Sequence, residues 1–235
     1  MYIVFAIISL IVGIVFSFTV PVVADLLVKY KKSKRLNGQY VDNKPTIIFS
    51  KIFPIIIGFI VSYLSLSNFP VWKVVFLLVF AFIACIGTLV DNRIRIISNE
   101  MILFMLFLGI IYRFFDGGLS FLINSTVSAV GMFAFLLISF FVIGKFMSSI
   151  VPAGAGDLKL MMILAFLVGY PNLIISVFVT MVTMLIYIII GLIMKKITFK
   201  SYIPMAGFIM IGIIVGLFSG GIDLWKWISK IGLMQ

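Results

Sequence analysis

Residues 2–24 carry no charged side chain, and the pattern recurs. Apolar runs almost free of charge cover about 52–68, 71–90, 101–112, 119–143, 160–168, 173–194 and 202–220, with polar or basic segments between them. In lipid, a helix satisfies its backbone hydrogen bonds within itself, which few other arrangements of such segments can do. The chain is 64% hydrophobic and 11% charged over 235 residues, with a mean hydropathy of +1.34. That is more apolar surface than a soluble domain of this size can bury. The expected fold is an all-α integral membrane protein, one polytopic bundle over residues 1–235 with about eight transmembrane helices. The run at 160–168 is short for a full span. The first run is expected to be a transmembrane helix and not a cleaved signal, because no basic residue precedes it and it is long enough to cross.

The charges between the runs set an orientation. There are 18 Lys and Arg against 7 Asp and Glu, a net charge of +11. The cations sit in short segments beside apolar runs, so topology and anionic lipid account for them, and no nucleic-acid partner is expected. With eight crossings, fourteen cations fall on one side and four, Lys73, Arg113, Lys226 and Lys230, on the other. The richer side should be cytoplasmic, with both termini outside. Residues 25–51 then form a short basic cytoplasmic loop holding Lys29, Lys31, Lys32, Lys34, Arg35, Lys44 and Lys51. The tail after Ile222, with Trp225 and Trp227, has the character of an interfacial helix. The absence of His excludes His-based catalysis and His-built metal sites. The lone Cys85 excludes an internal disulfide and a Cys zinc site, and is expected to be a small core or lipid-facing residue.

In so apolar a chain each acidic residue needs a reason. Asp116 and Asp223 fall on the outer side, and Asp42 is solvated in the basic loop. Glu100 suits a helix start, where the dipole favours negative charge. Asp25 is expected to pair with Lys29, one turn on. Asp91 ends an apolar run. It is either a helix-end charge paired to Arg93 or Arg95, although an acid at a helix C-terminus opposes the dipole, or a functional carboxylate. Asp157 opens an apolar run after Gly154 and Gly156, which leave room for a backbone to approach. It is either a helix cap or a functional carboxylate. Both sit where an apolar run meets the cytoplasmic side, and charge there is costly unless paired, hydrated or useful. Two carboxylates brought together do not both ionise easily, so one keeps its proton while the other acts as general base toward water. That is aspartic-protease chemistry, and it requires no Ser, His or metal.

At these residues the chain resembles the type IV prepilin peptidases, the membrane aspartic protease family that includes archaeal preflagellin peptidases. Asp91-Asn92-Arg93-Ile94-Arg95-Ile96-Ile97-Ser98-Asn99 is similar to the family's Asp, basic residues, then Ile-Pro-Asn, with Ser98 where Pro is usual. Gly154-Ala155-Gly156-Asp157-Leu158-Lys159-Leu160 matches Gly-x-Gly-Asp-x-Lys-Leu and leads into Gly169. Ile203-Pro204-Met205-Ala206-Gly207-Phe208 resembles the Pro-rich start of the last helix, with Gly207 in place of the second Pro. The resemblance covers about 91–220, the peptidase core motifs. It implies a leader peptidase with Asp91 and Asp157 as the catalytic pair. Gly154, Gly156, Lys159, Pro204 and Gly207 would be the motif and substrate-approach residues, and no metal is involved. The substrate would be a prepilin, pseudopilin or preflagellin precursor, cut at the cytoplasmic face of the cell membrane between its basic leader and its apolar segment.

Gly13-Ile14-Val15-Phe16-Ser17-Phe18 resembles the Gly-Ser-Phe start of bacterial members, although ordinary helix packing explains Ser17 and Phe18 equally. Those members carry two Cys-x-x-Cys pairs in the next segment, associated with N-methylation of the product. Residues 25–51 have no Cys, so zinc is ruled out there. No cofactor is expected, and S-adenosylmethionine would be needed only if methyl transfer were retained. Two other readings use the same carboxylates: an intramembrane protease of the signal-peptide-peptidase or presenilin type, and a small ion-coupled transporter. A transporter would hold its carboxylates near the bilayer midplane.

Overall fold

The computed structural model describes residues 2–34, 46–146, 154–195 and 203–219, and among these every regular element is an α-helix. In chain order they are α1 (Tyr2–Lys34), α2 (Ile47–Asn68), α3 (Val71–Ile94), α4 (Asn99–Phe146), α5 (Ala155–Val168), α6 (Asn172–Ile193) and α7 (Ala206–Ser219). The interfacial tail, Asp42 and the rest of residues 35–45 lie outside the described residues.

The centre is α3. Its residues 83–91 are buried without interruption, and α1, α2, α4 and α7 all pack on it. A helix that is apolar on every side belongs in the middle of a bundle. Cys85 is there, 1% exposed, a core residue. α1 and α2 approach closely because both carry glycine at their contact: a Cβ on Gly58 would stand 3.1 Å from the Gly13 Cα. α6 and α7 meet in the same way, Gly212 and Gly216 of α7 lying against Thr180 and Ser176 of α6. Ser17 is buried while Phe18 is largely exposed, the alternation of ordinary helix packing.

Several boundaries differ from the expected ones; α2, for one, begins at Ile47, inside the supposed loop. α1 does not stop at Ala24 but continues to Lys34, so the first part of the supposed basic loop is helical. Val20, Ala24 and Val28 are all buried, four residues apart, and this stripe carries the helix past the end of the apolar run. The runs at 101–112 and 119–143 are two arms of α4, bent at Gly117 and Gly118. Gly118 has φ +67° and ψ −151°, a conformation almost reserved for glycine.

Among the described residues, five helices can cross a membrane by length and composition: Tyr2–Ser33, Phe49–Asn68, Val71–Ile94, Asn99–Ser139 and Asn172–Ile193. The count falls short of eight because α4 holds two runs in one kinked helix, α5 has 14 residues, and α7 is described over 14 residues only. A 14-residue helix reaches only about 21 Å, against a hydrocarbon core of about 30 Å.

One end of the bundle is closed by a buried polar cluster. The Lys73 ammonium stands 2.9 Å from Asp116, Arg113 lies 3.6 Å from the same carboxylate, and the Arg113 Nε donates to the Ser125 hydroxyl at 2.6 Å. The Tyr170 N–H, just past α5, donates to Asn124 Oδ1 and Ser128 Oγ, each at 3.0 Å. These contacts tie both arms of α4 to the start of α3 and the end of α5. The site described next lies at the opposite end of α3.

Candidate active site

Asp91 occupies the last turn of α3. That helix ends where Arg95 turns left-handed, φ 52° and ψ 42°, with its N–H donating to the Asp91 carbonyl at 2.8 Å. The chain then runs without helical structure to Ser98, whose carbonyl accepts from the Ile102 N–H at 3.1 Å and begins α4. Asp91 is 5% exposed, and its Oδ2 accepts the Ala206 N–H at 3.0 Å. This is the first residue of α7, after the extended approach Ile203-Pro204-Met205. The acid is therefore at the unfavourable end of α3 but at the favourable N-terminus of α7. Sequence reasoning could not anticipate this partner, because a backbone donor leaves no mark in residue type.

Asp157 lies at the third position of α5. Gly154 is the cap residue, and the Asp157 Oδ2 accepts the Gly154 N–H at 3.2 Å. The side chain reaches back to the cap, as an acid at this position does in a capping box. Capping and catalysis are therefore compatible for Asp157.

The two carboxylates line one cavity of about 400 Å³. Gly154, Gly156, Lys159 and Pro204 line it as well, so six of the seven site residues expected from the sequence come together. Gly207 is the exception. It sits inside α7, where a Cβ would come within 3.0 Å of Thr88 Cγ2, and its role is to let α7 approach α3. The two glycines before Asp157 also differ. A Cβ on Gly156 would press on Ile97 at 3.2 Å, whereas one on Gly154 would meet, among the described residues, the Asp157 carboxylate at 3.4 Å and the Gly156 nitrogen at 4.0 Å. The room at Gly156 is thus taken up by the protein's own Asp91 loop. Lys159 donates to Asn99 Oδ1 at 3.2 Å.

The expected pairings change. Asp25 pairs with Arg93 and not with Lys29, and Arg93 is turned toward α1. Glu100 does stand at a helix start. It also accepts from the Ser98 hydroxyl at 2.6 Å and pairs with Lys31. Lys31 lines the cavity, a residue missed because 25–51 was expected to be loop. The buried stripe Val20, Ala24, Val28 was the signal that could have placed it. Among the described residues no three His, Cys, Asp or Glu side chains gather where they could hold a metal ion.

The carboxylates lie at the end of α3, about 27 Å along its axis from Lys73, and not at its middle, where an ion-transport reading needs them. No curated protein and no solved structure gives a significant match to the chain. A comparison with protein families matches residues 76–189 to the type IV leader peptidase family. The matched stretch runs from α3 into α6 and contains both Asp91 and Asp157. By that match, the part of the chain that carries the two carboxylates is similar to the type IV leader peptidase family.

Proposed function

We propose that the protein is a membrane-embedded aspartic endopeptidase that removes the basic leader from prepilin, pseudopilin or preflagellin precursors. The observation that carries this reading is that Asp91 and Asp157, on different helices, line one cavity at one end of the bundle. The family match supports the reaction class.

The carboxylates act as a pair that shares a proton. The ionised member takes a proton from water as the water oxygen bonds to the scissile carbonyl carbon, and the protonated member gives its proton to the carbonyl oxygen. The resulting diol collapses. The C–N bond breaks, the leaving nitrogen receives a proton from one carboxyl, and a diol hydroxyl returns a proton to the other. Leader removal by this route uses no cofactor, and methyl transfer with S-adenosylmethionine is not part of it.

The site faces the cytoplasm in this reading, because its end of the molecule carries Lys29, Lys31, Lys32, Arg93, Arg95 and Lys159. Eight crossings, with α5, α7 and the two arms of α4 each counted as one, put both termini outside. A precursor lying in the membrane presents the junction of leader and apolar segment at that face, and pilus, secretion or competence systems supply such precursors.

The test is to incubate detergent-purified protein with a precursor spanning the leader and the start of its apolar segment, and to take the product's N-terminal mass. A single cut at the junction, unchanged by a chelator, is expected. Cleavage inside the apolar segment would instead support the signal-peptide-peptidase type, and no cleavage contradicts the proposal.

A further inference from the structure

The cytoplasmic extension of α1, residues 25–34, lies outside the stretch matched to the family. It still forms part of the cavity wall, through Lys31. Two ion pairs join it to the chain around the Asp91 loop. Asp25 holds Arg93, just before the loop, and Lys31 holds Glu100, just after it. Ser98 grips the same Glu100 oxygen at 2.6 Å, so Lys31 and the end of the loop share one carboxylate.

Between these two anchors the loop has little regular structure to fix it. Residues 95–98 are non-helical, and Arg95 is left-handed, an unfavourable conformation for a non-glycine residue. This is the loop whose Ile97 lies against Gly156, one residue before Asp157. Its position therefore sets how α3, carrying Asp91, sits against the start of α5, carrying Asp157. The side chains of Asp25 and Glu100 are about half exposed, 56% and 48%. Pairs so exposed add too little stability to hold the fold together. They can still select one loop geometry, and catalysis is far more sensitive to geometry than folding is.

We propose that the α1 extension is a strut that positions the carboxylate pair, with Asp25 and Lys31 as positioning residues acting through Arg93 and Glu100. The proposal rests on the peptidase reading of the cavity.

The experiment measures kcat and KM for precursor cleavage by Asp25→Arg, Arg93→Asp and their double variant, and by Lys31→Glu, Glu100→Lys and theirs. Each single reversal is expected to lower kcat by about tenfold, with KM within about twofold of the wild type. Each double reversal is expected to recover at least about fivefold over its slower single. Single variants with wild-type kcat, or doubles no faster than the slower single, overturn the proposal. Thermal unfolding of every variant is measured alongside. If a reversal abolishes cooperative unfolding, the neutral Asp25→Asn and Lys31→Gln replace it, with kcat expected to fall about two- to fourfold and an unchanged kcat counting against the strut. A wild-type protein that cuts no precursor contradicts the peptidase reading itself, an outcome distinct from active singles or unrescued doubles.

Discussion

At the residue scale, Gly154 and Gly156 are not equivalent although the motif presents them as a pair. Gly154→Ala places its Cβ in ordinary contact with the Asp157 carboxylate and leaves the cap N–H in place, so cleavage should stay within about threefold of the wild type. Gly156→Val drives a branched side chain into Ile97 and should lower kcat by about tenfold or more. Equal losses from the two, measured as kcat on one precursor, would contradict this assignment.

At the scale of elements, α6 and α7 are held by shape. α7 presents Gly212 and Gly216 to Thr180 and Ser176, and neither glycine has room for a side chain. Gly216→Leu should destabilise the protein by about 2 kcal/mol, seen as a lower thermal midpoint in detergent; an unchanged midpoint would mean that the helices part easily. α7 also supplies the Ala206 N–H to Asp91, so loosening it should reduce cleavage too. Element existence was legible in the sequence, because uncharged apolar runs bounded by Asp116-Gly117-Gly118 and Gly169-Tyr170-Pro171 punctuate themselves. Asp91 and Asp157, which line one cavity, stood out in the sequence because an acid at the edge of an apolar run is unusual. The end of α1 was obscured by the density of lysines after Asp25, which suggested solvated loop, while the buried face continued beneath them. The partners of Asp25 and Asp91, Arg93 and the Ala206 N–H, were not legible. Each lies far away in the sequence, and local spacing favours the neighbour four residues on, whether or not the fold turns the side chain toward it.

At the scale of the whole molecule, polar chemistry is divided between the two ends of the bundle. One end binds its charges into a closed cluster of Lys73, Arg113 and Asp116 with hydroxyl partners. The other leaves two carboxylates beside a cavity of about 400 Å³ lined by α1, α3, α4, α5 and the approach to α7. A closed cluster joins helices together, whereas an open pair beside a cavity can act on a substrate. The type IV leader peptidase match falls on the stretch that holds this open pair, and α1 and residues 203–205, just before α7, complete the cavity from outside it. The most direct test is the N-terminal mass of a precursor co-expressed with wild type, Asp91→Asn or Asp157→Asn, with membrane insertion of each variant verified. The account predicts complete processing by the wild type and a loss of at least about a thousandfold in each variant. Processing retained by either single variant would contradict a two-carboxylate mechanism.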